Sequence, residues 1–166
     1  MSNISFEESY LGQLRKLIGH KKIIHPSIRA IIQDKKERIL FIERKGQNRW
    51  GMPAGSMELG ESIFETLKRE IKEETGIDVI DATLISIYSG PDKSIKNGFG
   101  DEYQMFEFLF RVDKWTGTTI KETDESKNAE FFPLDSIPKG TNLFWDNHHK
   151  EVIEDLKSFN GQLILK

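Results

Sequence analysis

The chain has 166 residues, 37% hydrophobic and 31% charged, which suits one compact domain with enough apolar material for a core. Cysteine is absent, so disulfides, thiol nucleophiles and cysteine-based zinc sites are excluded. The formal net charge is −3, so a polyanionic substrate would have to be neutralised by metal ions or by local Lys and Arg, not by the molecule as a whole.

Residues 5–18 have helical periodicity through Phe6, Tyr10, Leu14, Leu17 and Ile18, with Ser5 and Glu8 as a capping box and Gly19 as the stop. Residues 27–33 and 38–43 read as two strands joined by a hairpin turn at 34–37. A Gly-rich loop follows over 47–60, punctuated by Pro53. Residues 61–75 form the clearest helix, closed by Gly76. Residues 77–89 read as strand with an interruption near Asp81, and 91–101 as a loop. Residues 102–112 alternate, with Phe106, Phe108 and Phe110 on one face. Residues 115–120 and 129–132 are further strand candidates around an acidic loop, and 145–159 is a last helix with Val152, Ile153 and Leu156 inward.

Strands dominate, and helices are intermixed without strict alternation, which predicts an α/β or α+β sandwich with helices packed on a mixed sheet. The expected organisation is an N-terminal helical extension, 1–24, followed by one domain, 25–166. The helix of the extension could cap the sheet, shape substrate choice or contribute to a homodimer. No window approaches the roughly 18 consecutive apolar residues of a membrane span, and the polar, acidic start does not resemble a secretory or transit segment. The expected location is therefore cytoplasmic.

On a helix at about 100° per residue, Glu73 and Glu74 fall at about −60° and +40° from Glu70. Three carboxylates thus share one face, beside an apolar stripe of Phe64, Leu67 and Ile71. Like charges at these spacings repel by about 0.2 to 0.5 kcal/mol per pair, and they lie near the helix end that disfavours anions. Two readings fit: a solvated acidic face partly balanced by Arg69, or a site for a hard cation such as Mg²⁺ or Mn²⁺.

The surrounding residues bear on that choice. Gly55, Glu61, Arg69, Glu70, Ile71, Glu73, Glu74, Gly76 and Ile77 match every specified position of the pattern G-x5-E-x7-R-E-U-x-E-E-x-G-U, where U is bulky and aliphatic. Chance would supply such a match in on the order of one in 10⁹ windows. The segment resembles the box of the Nudix (MutT-like) hydrolases, and the preceding Trp50-Gly51-Met52-Pro53-Ala54-Gly55 is similar to that family's W-G-x-P-G-G, with Ala54 in place of a glycine. An alanine there would be strained if the loop required a positive φ.

The resemblance implies a Nudix-type α/β/α sandwich and a metal-dependent pyrophosphohydrolase. It implies that Glu70, Glu73 and Glu74 bind metal, helped by the Ala54 carbonyl, with Glu74 the foremost ligand. It implies that Glu70 is a candidate base and that Arg69 orients a glutamate. Gly55, Glu61 and Gly76 are then structural. Relatives often carry a functional glutamate in a loop comparable to 122–125, so Glu125 is a second candidate base, against the alternative of a solvated acidic loop. Glu102 is a third.

Weaker readings concern Arg44, which either faces phosphate or is simply exposed, and Trp50, which either stacks on a base or packs under the loop. Tyr103, Phe144 and Trp145 either line a base pocket or lie in the core. The four histidines show no ligand pattern and are expected at the surface or in local packing.

The expected partner is a small-molecule nucleotide: ADP-ribose, a nucleotide sugar, a dinucleoside polyphosphate or a nucleoside triphosphate. Nucleic acid is disfavoured because no basic patch is evident. The rival reading is a catalytically inactive nucleotide-binding module on the same fold. Such modules typically lose box carboxylates, and this chain retains all of them.

Overall fold

A computed structural model describes residues 5–45, 49–124 and 126–166. Three α-helices and nine strands make up the described fold: α1 (Tyr10–Ile18), β1 (Ile23–Ile32), β2 (Ile39–Arg44), β3 (Trp50–Gly51), β4 (Ala54–Ser56), α2 (Ile63–Thr75), β5 (Asp78–Tyr88), β6 (Ser94–Lys96), β7 (Glu102–Thr116), β8 (Ser126–Phe132), α3 (Leu143–Ser158) and β9 (Ile164–Leu165).

The larger sheet runs β4-β1-β7-β5-β9, with β6 also paired to β7, and the smaller runs β3-β2-β8. Pairing is mixed. β1 and β7 are parallel, whereas β5 and β7 are antiparallel. The long alternation of β7 sends its residues to two different cores. Phe108, Phe110 and Val112 join Ile28, Ala30, Leu67 and Ile71 under α2. Leu109 joins Ile31, Phe41, Ile85, Val152 and Ile153 under α3. Helices therefore cover both faces of the sheet, the expected α/β/α arrangement.

The helix of residues 61–75 starts later than expected. Ser62 is its N-cap, and Ser62 with Glu65 forms the capping box. Glu61 thus lies on the loop ahead of the helix. At the other end Gly76 adopts φ 77°, a left-handed position, and its N–H donates to the Lys72 carbonyl. A side chain there would be strained and would also meet Ile120.

Three further expectations need correction. The segment 34–37 does turn the chain, with Asp34 accepting from the Lys36 and Arg38 amides. The strands on either side, however, share only a Gln33–Ile39 bridge and diverge into different sheets. Ile31 and Ile39 both reach the α3 core, so burial outweighs continued hairpin pairing. The first helix begins at Tyr10, capped by Ser9, and Ser5 with Glu8 closes only the preceding turn. Its apolar positions Phe6 and Leu17 are exposed. Polar contacts hold it instead: Arg15 pairs with Asp101 at 3.3 Å, and the Tyr10 N–H donates to Glu58. Finally, the loop of 91–101 contains the short strand β6, paired with β7.

Beneath α3 the sheet carries a buried ion pair. Arg29 on β1 donates twice to Glu107 on β7, both at 3.0 Å, and the His148 ring lies 2.7 Å from the same carboxylate. Burial pushes the Glu107 carboxyl up, but Arg29 and His148 outweigh it and hold the group at about 2. The folded carboxyl thus titrates below its usual 4.5. Its stabilising contribution is complete above that value and is lost as pH falls toward 2. Urea unfolding is expected to show stability dropping between pH 5 and pH 3. In Glu107→Gln the drop should be shallower and the stability at neutral pH lower, because Arg29 loses its counter-charge. Parallel pH profiles for the two proteins would contradict this.

Candidate active site

α2 packs across β4, β1 and β5, which sets its carboxylate face against the loop of Trp50–Gly55. Its apolar stripe fixes that orientation: Leu67 and Ile71 are fully buried. The three glutamates follow from the same geometry, and they have different surroundings.

Glu74 is fully buried. One oxygen lies 2.6 Å from the Arg44 guanidinium, and the other accepts from the Ala54 N–H at 2.9 Å. Glu70 accepts from Arg69 at 2.8 Å, and Glu73 accepts from the same guanidinium nitrogen at 3.1 Å. Arg69 also donates to Glu61 at 2.5 and 3.0 Å and to the Ser56 carbonyl at 3.0 Å.

Glu61, held in turn by Thr66 and the Glu58 N–H, fixes the arginine from the far side. Hydrogen bonds from Arg69 lower the Glu61 pKa most strongly, against a partial desolvation. Two arginines thus offset much of the carboxylate repulsion that the helix alone would suffer. The spacing of Glu61 and Arg69 does not span two turns of one helix. It closes a loop back onto the helix.

Gly55 is required by close approach. A Cβ at this position would fall within the Glu70 carboxylate itself. Ala54 has no positive φ, so alanine sits there without strain. Its carbonyl accepts from Arg44 at 3.1 Å. Arg44 is therefore not a merely exposed cation. It joins β2 to the loop and to α2.

Glu70, Glu73, Glu74, Arg44, Ala54 and Gly55 line one cleft of about 400 Å³. A second cavity, of about 670 Å³, adjoins it, with Arg44, Ala54 and Tyr103 lining both. Trp50, Phe144 and Trp145 line this larger cavity, so these aromatics are not simply core. Trp50 also packs edge-on against Phe132 at 5.0 Å. Arg29, Arg44, Arg49 and Lys96 contribute cations to the wall, and no carboxylate lines it among the described residues. Three of these cations are already paired, Arg29 with Glu107, Arg44 with Glu74 and Lys96 with Glu102, so they offset only part of the overall negative charge.

Of the remaining candidates, Glu125 lies outside the described residues. Glu122 is exposed and pairs with Lys45 at 3.3 Å. Glu102 pairs with Lys96 at 3.0 Å.

The histidine expectation holds only in part. His148 and His149 are buried on α3, and His25 contacts Ser56 and Tyr103 beside the cleft. Sequence reasoning missed Arg29, Glu107 and His149. A signal for His149 existed, since it follows Trp145 by four residues and precedes Val152 and Ile153 on the inward face.

A carboxylate-bearing helix next to a basic, aromatic cavity on an α/β/α sandwich defines a class of enzyme built to handle anionic small molecules. Residues 23–156 match the family described as the NUDIX domain, and the chain belongs to the Nudix hydrolase family. It is 33% identical over 145 residues to an ADP-ribose pyrophosphatase of Methanocaldococcus jannaschii, covering 85% of this chain and 79% of that protein. It is 34% identical over 121 residues to an 8-oxo-dGDP phosphatase of Homo sapiens, covering 71% of this chain and only 35% of that longer protein. The MutT NUDIX hydrolase of Burkholderia pseudomallei shares the fold, with a TM-score of 0.64 at 24% identity, over 81% of this chain and 98% of that one.

Proposed function

We propose that this protein hydrolyses a pyrophosphate bond in a nucleoside diphosphate linked to another moiety, using Mg²⁺, for which Mn²⁺ can substitute. The observation that carries the reading is the single cleft onto which Glu70, Glu73 and Glu74 open beside the Ala54 loop. Relatives named for ADP-ribose and 8-oxo-dGDP hydrolysis support the substrate class. Nucleotide sugars, dinucleoside polyphosphates and nucleoside triphosphates remain within it.

The donor set fits a hard cation: carboxylate oxygens and one carbonyl on a shared wall. Among the described residues, no three acidic side chains enclose an ion unaided. A Mg²⁺ ion there would have to complete its shell with water and substrate phosphates, as this ion usually does. When bound, the metal supplies charge neutralisation of the diphosphate and a lowered pKa for an attacking water.

The chain's own groups do the rest. Glu74 is the foremost ligand. Arg69 holds Glu70 and Glu73 in place by charge-assisted hydrogen bonds. Glu70 accepts the proton of the water, with Glu125 as the alternative base. In this reading Arg44 meets a phosphate and Trp50 contacts the nucleoside.

We propose that the N-terminal extension shapes this cleft, because Phe6, Ser9 and Leu11 line it; it ends before β1 starts at Ile23, not at residue 24.

The test is release of phosphate and nucleotide from a panel of nucleoside diphosphate derivatives with Mg²⁺ or Mn²⁺. Turnover of at least one compound is expected. Silence across the panel, with nucleotide still bound, would instead support a non-catalytic binding module.

A second expectation concerns stability. Millimolar MgCl₂ should raise the melting temperature by about 2 to 4 °C, the shift for about 1 kcal/mol of linked binding in a chain of this size. The shift is modest because Arg44 and Arg69 already offset part of the repulsion. No shift, or an equal shift in Glu74→Gln, would remove the site from this cluster.

A further inference from the structure

The larger cavity ends on a histidine that the hydrolytic chemistry does not use. His149, on α3, is 1% exposed and lines the cavity beside Trp145. Its ring packs edge-on against Phe41 at 5.4 Å and lies 6.3 Å from Trp145. Among the described residues its Nδ1 is buried and has no hydrogen-bond partner. Buried polar atoms in folded proteins are nearly always paired, and an exception asks what completes it. Its neighbour His148 points elsewhere, with Nε2 at Glu107.

We infer that His149 is a nucleobase-binding residue that hydrogen-bonds the edge of the substrate's base, which lies in the larger cavity against Trp145 and Phe144. The inference rests on the proposed nucleotide substrate and adds to it the place and reader of the base. Three further observations support it. First, the cavity opens onto the carboxylate cleft through Arg44, Ala54 and Tyr103, so a diphosphate held at α2 leaves its nucleoside within reach. Second, at about 670 Å³ the cavity is of the size that small ligands occupy. Its aromatic lining suits the π-face of a base, which stacks on such side chains without regard to sequence.

Third, His149 is held neutral. Burial lowers its pKa first, then Arg29 and His148, to about 3. A neutral imidazole carries one donor and one acceptor, and so can pair with a base edge, whereas an imidazolium would only donate. Arg29 strengthens both features. It lies 5.0 Å over the Trp145 ring while anchored to Glu107, which fixes the floor of the cavity.

The experiment is isothermal titration of the full chain, in EDTA, with AMP, GMP, CMP and the baseless ribose 5-phosphate. It compares the wild type with His149→Phe and His149→Asn. Nucleoside monophosphates are expected to bind more tightly than ribose 5-phosphate. His149→Phe should weaken them by about 3- to 10-fold, the worth of one hydrogen bond, with ribose 5-phosphate unchanged. His149→Asn, which restores a donor and an acceptor, should recover part of the loss. In turnover, His149→Phe should raise KM and leave kcat near the wild-type value.

Equal Kd values for AMP, GMP and CMP in the wild type and a folded His149→Phe would overturn the inference. If His149→Phe fails to fold, Phe144→Ala takes its place, and unchanged nucleotide affinity there would overturn the cavity as the base site. Because the titration contains no metal and requires no turnover, a protein that binds AMP through His149 yet hydrolyses nothing would refute the proposed catalysis alone.

Discussion

Glu74→Gln is expected to lower turnover by roughly 10²- to 10³-fold at saturating Mg²⁺, the factor carried by several kcal/mol of metal-supplied charge stabilisation. The reason lies in where the carboxylate sits. Glu74 is fully buried, with one oxygen on the Ala54 N–H and the other on Arg44. An amide keeps the shape and can keep the acceptor for Ala54. Its NH₂ then faces the Arg44 guanidinium, donor against donor. The substitution therefore removes a ligand charge and also releases Arg44 from its position.

The sequence alone suggests a variant with an undisturbed fold. Burial alters that expectation: leaving buried donors unsatisfied costs about 1 to 3 kcal/mol. Circular dichroism and thermal melting should show a folded but less stable protein. Steady-state kinetics then decide the matter, since a folded variant with wild-type kcat would place the essential carboxylate elsewhere.

Gly55→Ala is expected to lower turnover by crowding a carboxylate instead of by removing its charge. The added Cβ would fall on the Glu70 carboxylate. What must move is the end of a flexible side chain, so the fold should absorb the change at about 1 to 3 kcal/mol, as for other overpacked positions. The displaced group, however, is a candidate base and metal ligand, and it would also leave Arg69, which bonds it at 2.8 Å. Turnover should fall by at least about 10²-fold, since misplacement of a reacting group by an ångström can cost that much. The melting temperature should fall by roughly 2 to 12 °C, at about 2 to 4 °C per kcal/mol for a chain of this size. Wild-type kcat in Gly55→Ala would mean that Glu70 is dispensable and would leave Glu125 as the base to test.

The carboxylate-bearing helix was legible in the chain because its information is local. Helical spacing puts Glu70, Glu73 and Glu74 on one face and Leu67 and Ile71 beside them. Gly76 marks the stop by its left-handed φ. The mixed sandwich could be read from the order of strands and helices for the same reason. The start of α2 was less legible: it begins at Ile63 behind the Ser62 cap, not at residue 61, because helix ends are specified only to within a residue or two.

Other features depended on contacts between distant segments. Arg44 reaches Glu74 across thirty positions only because β2 and α2 meet at the Ala54 loop. Glu107 sits in an alternating aromatic strand and looks like an outward-facing residue until β7 acquires a helix on its second face, where Arg29 and His148 await it. His149 lines a cavity assembled from β2–β3, β6–β7 and α3. The sequence by itself determined which groups could perform the chemistry, because helical period and residue type are properties of neighbours in the chain. The tertiary structure alone decided which cations balance those groups, how deeply they are buried and which residues line the larger cavity, because burial and charge pairing are properties of neighbours in space.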